Sequence, residues 1–222
     1  MKLDFKTILG FVVIGVVTYL CRPLNDKIVD VFIEDKNNIE YKNDVEEPDE
    51  LKISGNIEGH DYVNLGLSVK WATCNIGANK PEEYGDYFAW GETAPKENYE
   101  AGTYLWTSND AAQAKWGGPW RMPTREEWNE LIDKCSWEWT TVNSVNGYKI
   151  TAKNGNWIFL PAAGNRNCIS SRNVGSGGNY WSSTVYERSY NAAYGLLFDS
   201  VRKYIFIGNY RSRGYTVRPV IE

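Results

Sequence analysis

The sequence predicts an α+β chain: a mixed or antiparallel sheet of short strands with two short helices and long loops, preceded by an N-terminal apolar helix and a linker. Three observations carry this. Helical spacing of apolar residues is confined to short stretches, clearest in "PTREEWNELIDKC". Beyond it the pattern changes to alternation around Asn-Gly pairs, which is how hairpins read. Towards the end, "NAAYGLLFD", "KYIFIGNY" and "GYTVRPVIE" are short apolar runs bounded by Gly, Asn, Asp or Ser, as strands are.

Residues 1–24 open with Lys2 and Lys6 ahead of an apolar run from Ile8 to Leu20. The run is shorter than the roughly 20 residues of a full span, unless Phe5 and Cys21 are counted in. We read it as an uncleaved membrane anchor, ahead of a cleaved signal segment and of a lipidated Cys21. The bulky Val17, Tyr19 and Leu20 argue against a cleavage or lipid site. Each reading exports the rest of the chain. Residues 25–58 are acidic, contain Pro48 and carry few apolar residues after Ile39, so they read as a linker or stalk.

The folded part is expected over residues 59–222. "HDYVNLGLSVKWATCNIG" and "YGDYFAW" read as strands. "SNDAAQAKWGG" reads as a short helix, with Ser108 or Asn109 as cap and the glycine pair as stop. In the next helix Thr124 and Glu127 form a capping box. Trp128, Leu131, Ile132 and Cys135 make its apolar face, so Cys135 is expected to point into the core. Asn-Gly turns at Asn146-Gly147 and Asn154-Gly155 predict a three-stranded meander, with Tyr148, Ile150 and Ala152 on its buried side. "GNRNCISSRNVGSGGNYWSSTVYERSYN" has almost no aliphatic residues and is expected to be a long ordered loop over the domain.

The inventory narrows the chemistry. A net charge of -4 gives no electrostatic reason to expect nucleic acid. His60 is the sole histidine, which excludes multi-histidine metal sites and histidine relays. No C-x-x-C pair occurs among Cys21, Cys74, Cys135 and Cys168. Export permits a Cys74–Cys135 disulfide with Cys168 as a spare thiol; the alternative is that Cys74 and Cys135 are two buried thiols acting as small apolar side chains.

Five segments, "GHDYVNLGLSVKWATCNIGANKPEEYGDYFAWGET", "WGGPWRMPTREEWNELIDKC", "NGNWIFLPAAG", "YWSST" and "TVRPV", occur in this order. The series resembles the Fibrobacter succinogenes major paralogous domain family, abundant in surface proteins of Bacteroidota. The resemblance implies a C-type lectin-like fold, akin to formylglycine-generating enzymes and to retroelement-diversified variable domains. It implies no defined activity, because fold does not supply function. Formylglycine-generating enzymes use a cysteine pair close in sequence, whereas Cys168 stands alone. The related iron-dependent sulfoxide synthases need several histidines. Calcium lectins of this fold use Glu-Pro-Asn and Trp-Asn-Asp motifs, and neither occurs here. Glu92, Glu126, Glu187 and Asp199 are the carboxylates a glycosidase would have to pair.

The expectation is therefore a non-catalytic cell-envelope protein without cofactor or metal, held at the membrane by its N-terminal segment. It binds a glycan or a surface protein through a loop face. The alternatives are a structural domain without soluble ligand and a carbohydrate-active enzyme. Tyrosine gives contact area at low entropy cost, and asparagine and serine give adaptable hydrogen bonds. On that basis the expected ligand residues are Asn165, Arg166, Asn167, Arg172 and Asn173, then Asn179, Tyr180, Tyr186, Arg188 and Tyr190. Asn209, Tyr210, Arg211 and Arg213 add a second segment. Trp181 is expected in the core.

Overall fold

The computed structural model describes residues 50–100 and 109–222. The expected apolar helix over 1–24 and the linker as far as residue 49 lie outside the described residues, as does Ser108. What is described is a mostly-sheet α+β protein with two helices and antiparallel strand ladders.

The first sheet runs β1 (Gly55–Ile57), β2 (His60–Val63), β3 (Lys70–Ala72) and β12 (Val220–Ile221). Glu58 and Gly59 both take positive φ (52° and 81°), giving a two-residue turn that pairs Ile57 with His60. This turn draws β1 into the sheet, so the first described strand lies ahead of the expected start at Gly59. β12 pairs with β3, Val220 opposite Trp71, and brings the chain's end back to its first sheet.

α1 (Ala111–Trp116) is capped by Asp110, whose carboxylate accepts from the amides of Ala112 and Gln113 and also from Met122 N–H. The cap is thus one residue after Asn109, where an acceptor can reach both the first turn and the following segment. α2 (Arg125–Lys134) has the expected capping box. Its Glu127 also takes a two-pronged bond from Arg121 at 2.9 and 2.7 Å.

The meander forms as β4 (Ser136–Val142), β5 (Val145–Thr151) and β6 (Trp157–Pro161). Its second turn is at Asn154-Gly155 as expected, with Gly155 at φ 81°. The first turn is not at Asn146-Gly147. Asn143 and Ser144 turn the chain instead, at φ 46° and 68°. Gly147 lies inside β5, where a side-chain carbon would overlap the Leu160 carbonyl and the Phe159 ring. Close backbone approach, rather than turn geometry, calls for that glycine.

The segment expected to be a long loop contains β7 (Asn165–Asn167), β8 (Ser170–Arg172) and β9 (Gly177–Val185). β9 pairs with β10 (Ala192–Asp199), which pairs with β11 (Lys203–Tyr210). Its first six residues are all buried. Both faces are covered: Tyr180 enters a core with Trp71, Trp128, Tyr148 and Phe198, and Trp181 enters another with Phe88, Trp90, Tyr215 and Val217. α2 packs across β9, β10 and β11. "YGDYFAW" forms no ladder; Phe88 alone bridges to Tyr215.

Candidate functional site: an arginine-bearing strip

Backbone hydrogen bonds join three of the expected ligand segments edge to edge. β8 pairs with β7, with Asn165 opposite Arg172. On its other edge, β7 exchanges two bonds with the C-terminal segment: Arg166 N–H donates to Gly214 O at 2.8 Å, and Gly214 N–H to Arg166 O at 3.0 Å. The turn before Gly214 is closed by Arg213 N–H on Tyr210 O at 2.9 Å. Arg211 N–H then donates to Asn191 O at 2.8 Å, which ties in the 186–191 connection between β9 and β10. The strip therefore runs from β8 through β7 and 210–214 to 186–191.

The expected residues divide along it. Arg172, Asn173 and Arg188 are exposed, and Arg166, Asn167, Tyr186 and Arg213 are half-buried. Tyr190 and Tyr210 are 75% and 52% exposed, the most open tyrosines described. Tyr186 leans edge-on against Tyr194 with ring centres 5.6 Å apart. Asn209 lies outside the described side chains.

Four expected contacts are corrected. Tyr180 is fully buried; its hydroxyl donates to Pro161 O at 2.7 Å, and burial pushes its pKa up to about 12. Asn179 and Asn165 are buried, with Asn165 Nδ2 donating to Asn179 Oδ1 at 3.1 Å. Arg211 is buried with its guanidinium 4.2 Å from the centre of the Trp90 ring. Its Nε donates to Ala192 O, so it clamps the end of β10. The physical reason is shared: β9 and the segments beside it are covered on both sides, so side chains suited to a rim become core.

The strip carries polar groups that the protein leaves unbonded. The Nε of Arg166 and of Arg213, the hydroxyl of Ser212, and the Oδ1 of Asn165 and of Asn191 are all buried without a hydrogen-bond partner. Such orphans are rare in folded proteins; five of those described lie on the strip, and others, the Nε1 of Trp71 and of Trp157, lie away from it. Donors and acceptors are both present, which suits a ligand with hydroxyl groups.

Sequence reasoning missed residues that the fold brings to this strip. Tyr99 pairs with Cys168 through mutual backbone bonds, and its ring meets Gly214, where a side chain would collide with it. Tyr87 donates to Ala163 O at 2.6 Å. Burial first and Tyr84 second push the Tyr87 pKa up to about 12, against the opposing pull of Arg166. Tyr84 and Tyr87 stand in "YGDYFAW", where aromatic density was the available signal. Ile169 at the β7–β8 turn is 74% exposed beside exposed Cys168.

The cysteines and the histidine lie as follows. Cys74 and Cys135 are free thiols, which corrects the expected disulfide. Cys74 follows β3 and opens to a cavity of about 290 Å³ lined also by His60, Asp61, Thr73, Asn79 and Trp116. Cys135 ends α2 against the core that holds Trp128 and Leu131, and burial pushes its pKa up to about 11. His60 stacks on Trp116 with ring centres 3.7 Å apart, and burial lowers its pKa against the opposing charge of Asp61. None of the expected ligand residues lines this cavity. Among the described residues no group of three or more His, Cys, Asp or Glu is arranged to hold a metal ion.

No family model, no curated protein and no solved structure matches this chain.

Proposed function

We propose that this chain is a non-catalytic cell-envelope protein that binds a glycan or a surface protein through the strip, without calcium. In this reading residues 59–222 are a C-type lectin-like domain of the major paralogous type, and residues 1–24 attach it to the membrane. The ordered series of segments and the return of β12 to β3 support the fold assignment.

One observation carries the function. Tyr190 and Tyr210 stand open to solvent next to Asn191 and Ser212, whose buried oxygens lack partners. Open aromatic rings stack on sugar faces or anchor protein contacts, and partnerless oxygens beside them exchange hydrogen bonds with hydroxyls or amides. A structural reading is favoured by a different fact: Asn165, Asn179 and Tyr180 serve the interior. That reading takes the aromatic richness as core building and gives the strip no ligand.

The experiment that separates them is binding of the full chain, in detergent, to arrays of glycans and envelope proteins, beside a Tyr190→Ala/Tyr210→Ala variant. Both tyrosines are exposed, and circular dichroism and urea unfolding check that the variant is folded. Binding by the parent that the variant loses supports the proposal. Equal binding by both moves the site away from the strip, and failure of the parent to bind supports the structural reading.

A further inference from the structure

The nine described arginines fall into groups. Arg121, Arg125 and Arg202 each hold a carboxylate: Glu127, Glu126 and Asp199. Arg218 is wholly buried, and its guanidinium donates to Asn75 Oδ1 and to the carbonyls of Ala72, Thr73 and Phe159. Arg211 lies over Trp90. The remaining four, Arg166, Arg172, Arg188 and Arg213, make no ion pair among the described residues. All four belong to the strip. Segments 165–173, 186–191 and 210–214 together hold a single acid, Glu187, in a chain whose net charge is -4.

These four are therefore cationic groups without a local counter-charge among the described residues. Two of them, Arg166 and Arg213, also carry an orphaned donor. Arg166 spends an Nη1 hydrogen on Ser171 Oγ at 3.0 Å, yet its Nε–H is buried and unaccepted. Arg213, next to Gly214 in the chain, has the same defect. A buried guanidinium N–H without an acceptor is costly, and an anionic oxygen relieves it best. The orphaned Asn191 acceptor and the exposed Tyr190 ring suit hydroxyls and an apolar ring face.

From this we infer that the strip takes an acidic carbohydrate, its carboxylate or sulfate groups meeting Arg166 and Arg213 and a further charge meeting Arg188. The inference rests on the binding function proposed above and names the ligand class. Carboxylate and sulfate share the chemistry, an oxyanion on a sugar ring.

The test measures affinity of the full chain for oligogalacturonate, for heparin oligosaccharides and for neutral cello-oligosaccharides of matched length. Polyglutamate serves as an acidic peptide. Either acidic sugar should bind at least about tenfold tighter than the neutral one, the strength of one charge-assisted bond. Preference for oligogalacturonate assigns carboxylate, and preference for heparin assigns sulfate. Arg166→Gln/Arg213→Gln should lose at least about tenfold. Arg188→Gln, at an exposed position, should weaken binding and its salt dependence, whereas Arg172→Gln, on the face of the β7–β8 ladder opposite Arg166, should not. Arg202→Gln, ion-paired away from the strip, should change nothing. Neutral sugar bound as tightly as acidic sugar, and lost in Tyr190→Ala/Tyr210→Ala, overturns the inference and leaves the binding function standing. Polyglutamate bound in place of both acidic sugars overturns it in favour of a protein partner. No binding of any sugar also overturns it, and the envelope-protein array then decides the broader reading.

Discussion

Tyr180 and Trp181 are neighbours in the chain and lie in two different cores. Tyr180 packs 5.8 Å from the Phe198 ring centre, and Trp181 packs 4.2 Å from that of Tyr215. Trp181 Nε1 also donates to Phe88 O at 2.7 Å. β9 thus separates the two cores, and its Asn179, Tyr180 and Trp181 side chains bond within the interior.

Tyr180 makes alkaline stability a test of that partition. Burial holds its proton to about pH 12, against the usual value near 10 in an unfolded chain. Between those values the folded state binds more protons than the unfolded one. Its contribution is therefore complete below pH 10 and is lost as pH rises towards 12, by about 1.4 kcal/mol per pH unit. In Tyr180→Phe, urea unfolding should show lower stability at pH 7, by about 1 kcal/mol for the lost bond to Pro161, and a shallower fall from pH 10 to 12. An unchanged alkaline slope would place this hydroxyl in water.

Arg218 joins elements distant in the chain. Its guanidinium reaches Thr73 O at 2.7 Å and Phe159 O at 3.0 Å, from a position with no exposure. Arg218→Met fills the space and strands four buried acceptors. A loss of about 2 kcal/mol or more is expected, since each orphaned acceptor costs about 1–3 kcal/mol. Equilibrium unfolding in urea measures it, and a loss under 0.5 kcal/mol, the size of an ordinary surface substitution, would contradict the assignment.

The three described thiols should differ in reactivity. Cys168 is exposed on the β7–β8 turn, whereas Cys135 is half-buried with its pKa near 11. At pH 8 about one Cys135 in a thousand is thiolate, the reactive form. Iodoacetamide followed by peptide mass spectrometry should find Cys168 alkylated at least tenfold faster than Cys135. A peptide linking Cys74 to Cys135 would contradict the free thiols.

Local signals made much of the fold legible. The Thr124–Glu127 box, the Asn154-Gly155 turn and the Tyr148–Ile150–Ala152 alternation each depend on neighbours a few residues away, and each is where it was expected. The misreadings depend on distant partners. Gly147 looked like a turn residue because its need for space comes from Leu160 and Phe159 across the ladder. β9 looked like a loop because Asn179, Ser182 and Ser183 are polar, and nothing local shows that Trp90, Asn165 and Thr216 cover that strand. The candidate site was legible to the same extent. Arg172, Arg188, Tyr190 and Tyr210 are on the surface, while Tyr180 and Arg211, of the same residue types, were claimed by Phe198 and Trp90.

A ligand held at the strip should slow amide exchange there. Hydrogen exchange of the full chain, with and without the ligand its array identifies, tests this most directly. Slowed exchange at 165–173, 186–191 and 210–214, with no change around His60, Cys74 and Trp116, is the expected result. Protection centred on that cavity instead, with the strip unaltered, would contradict it.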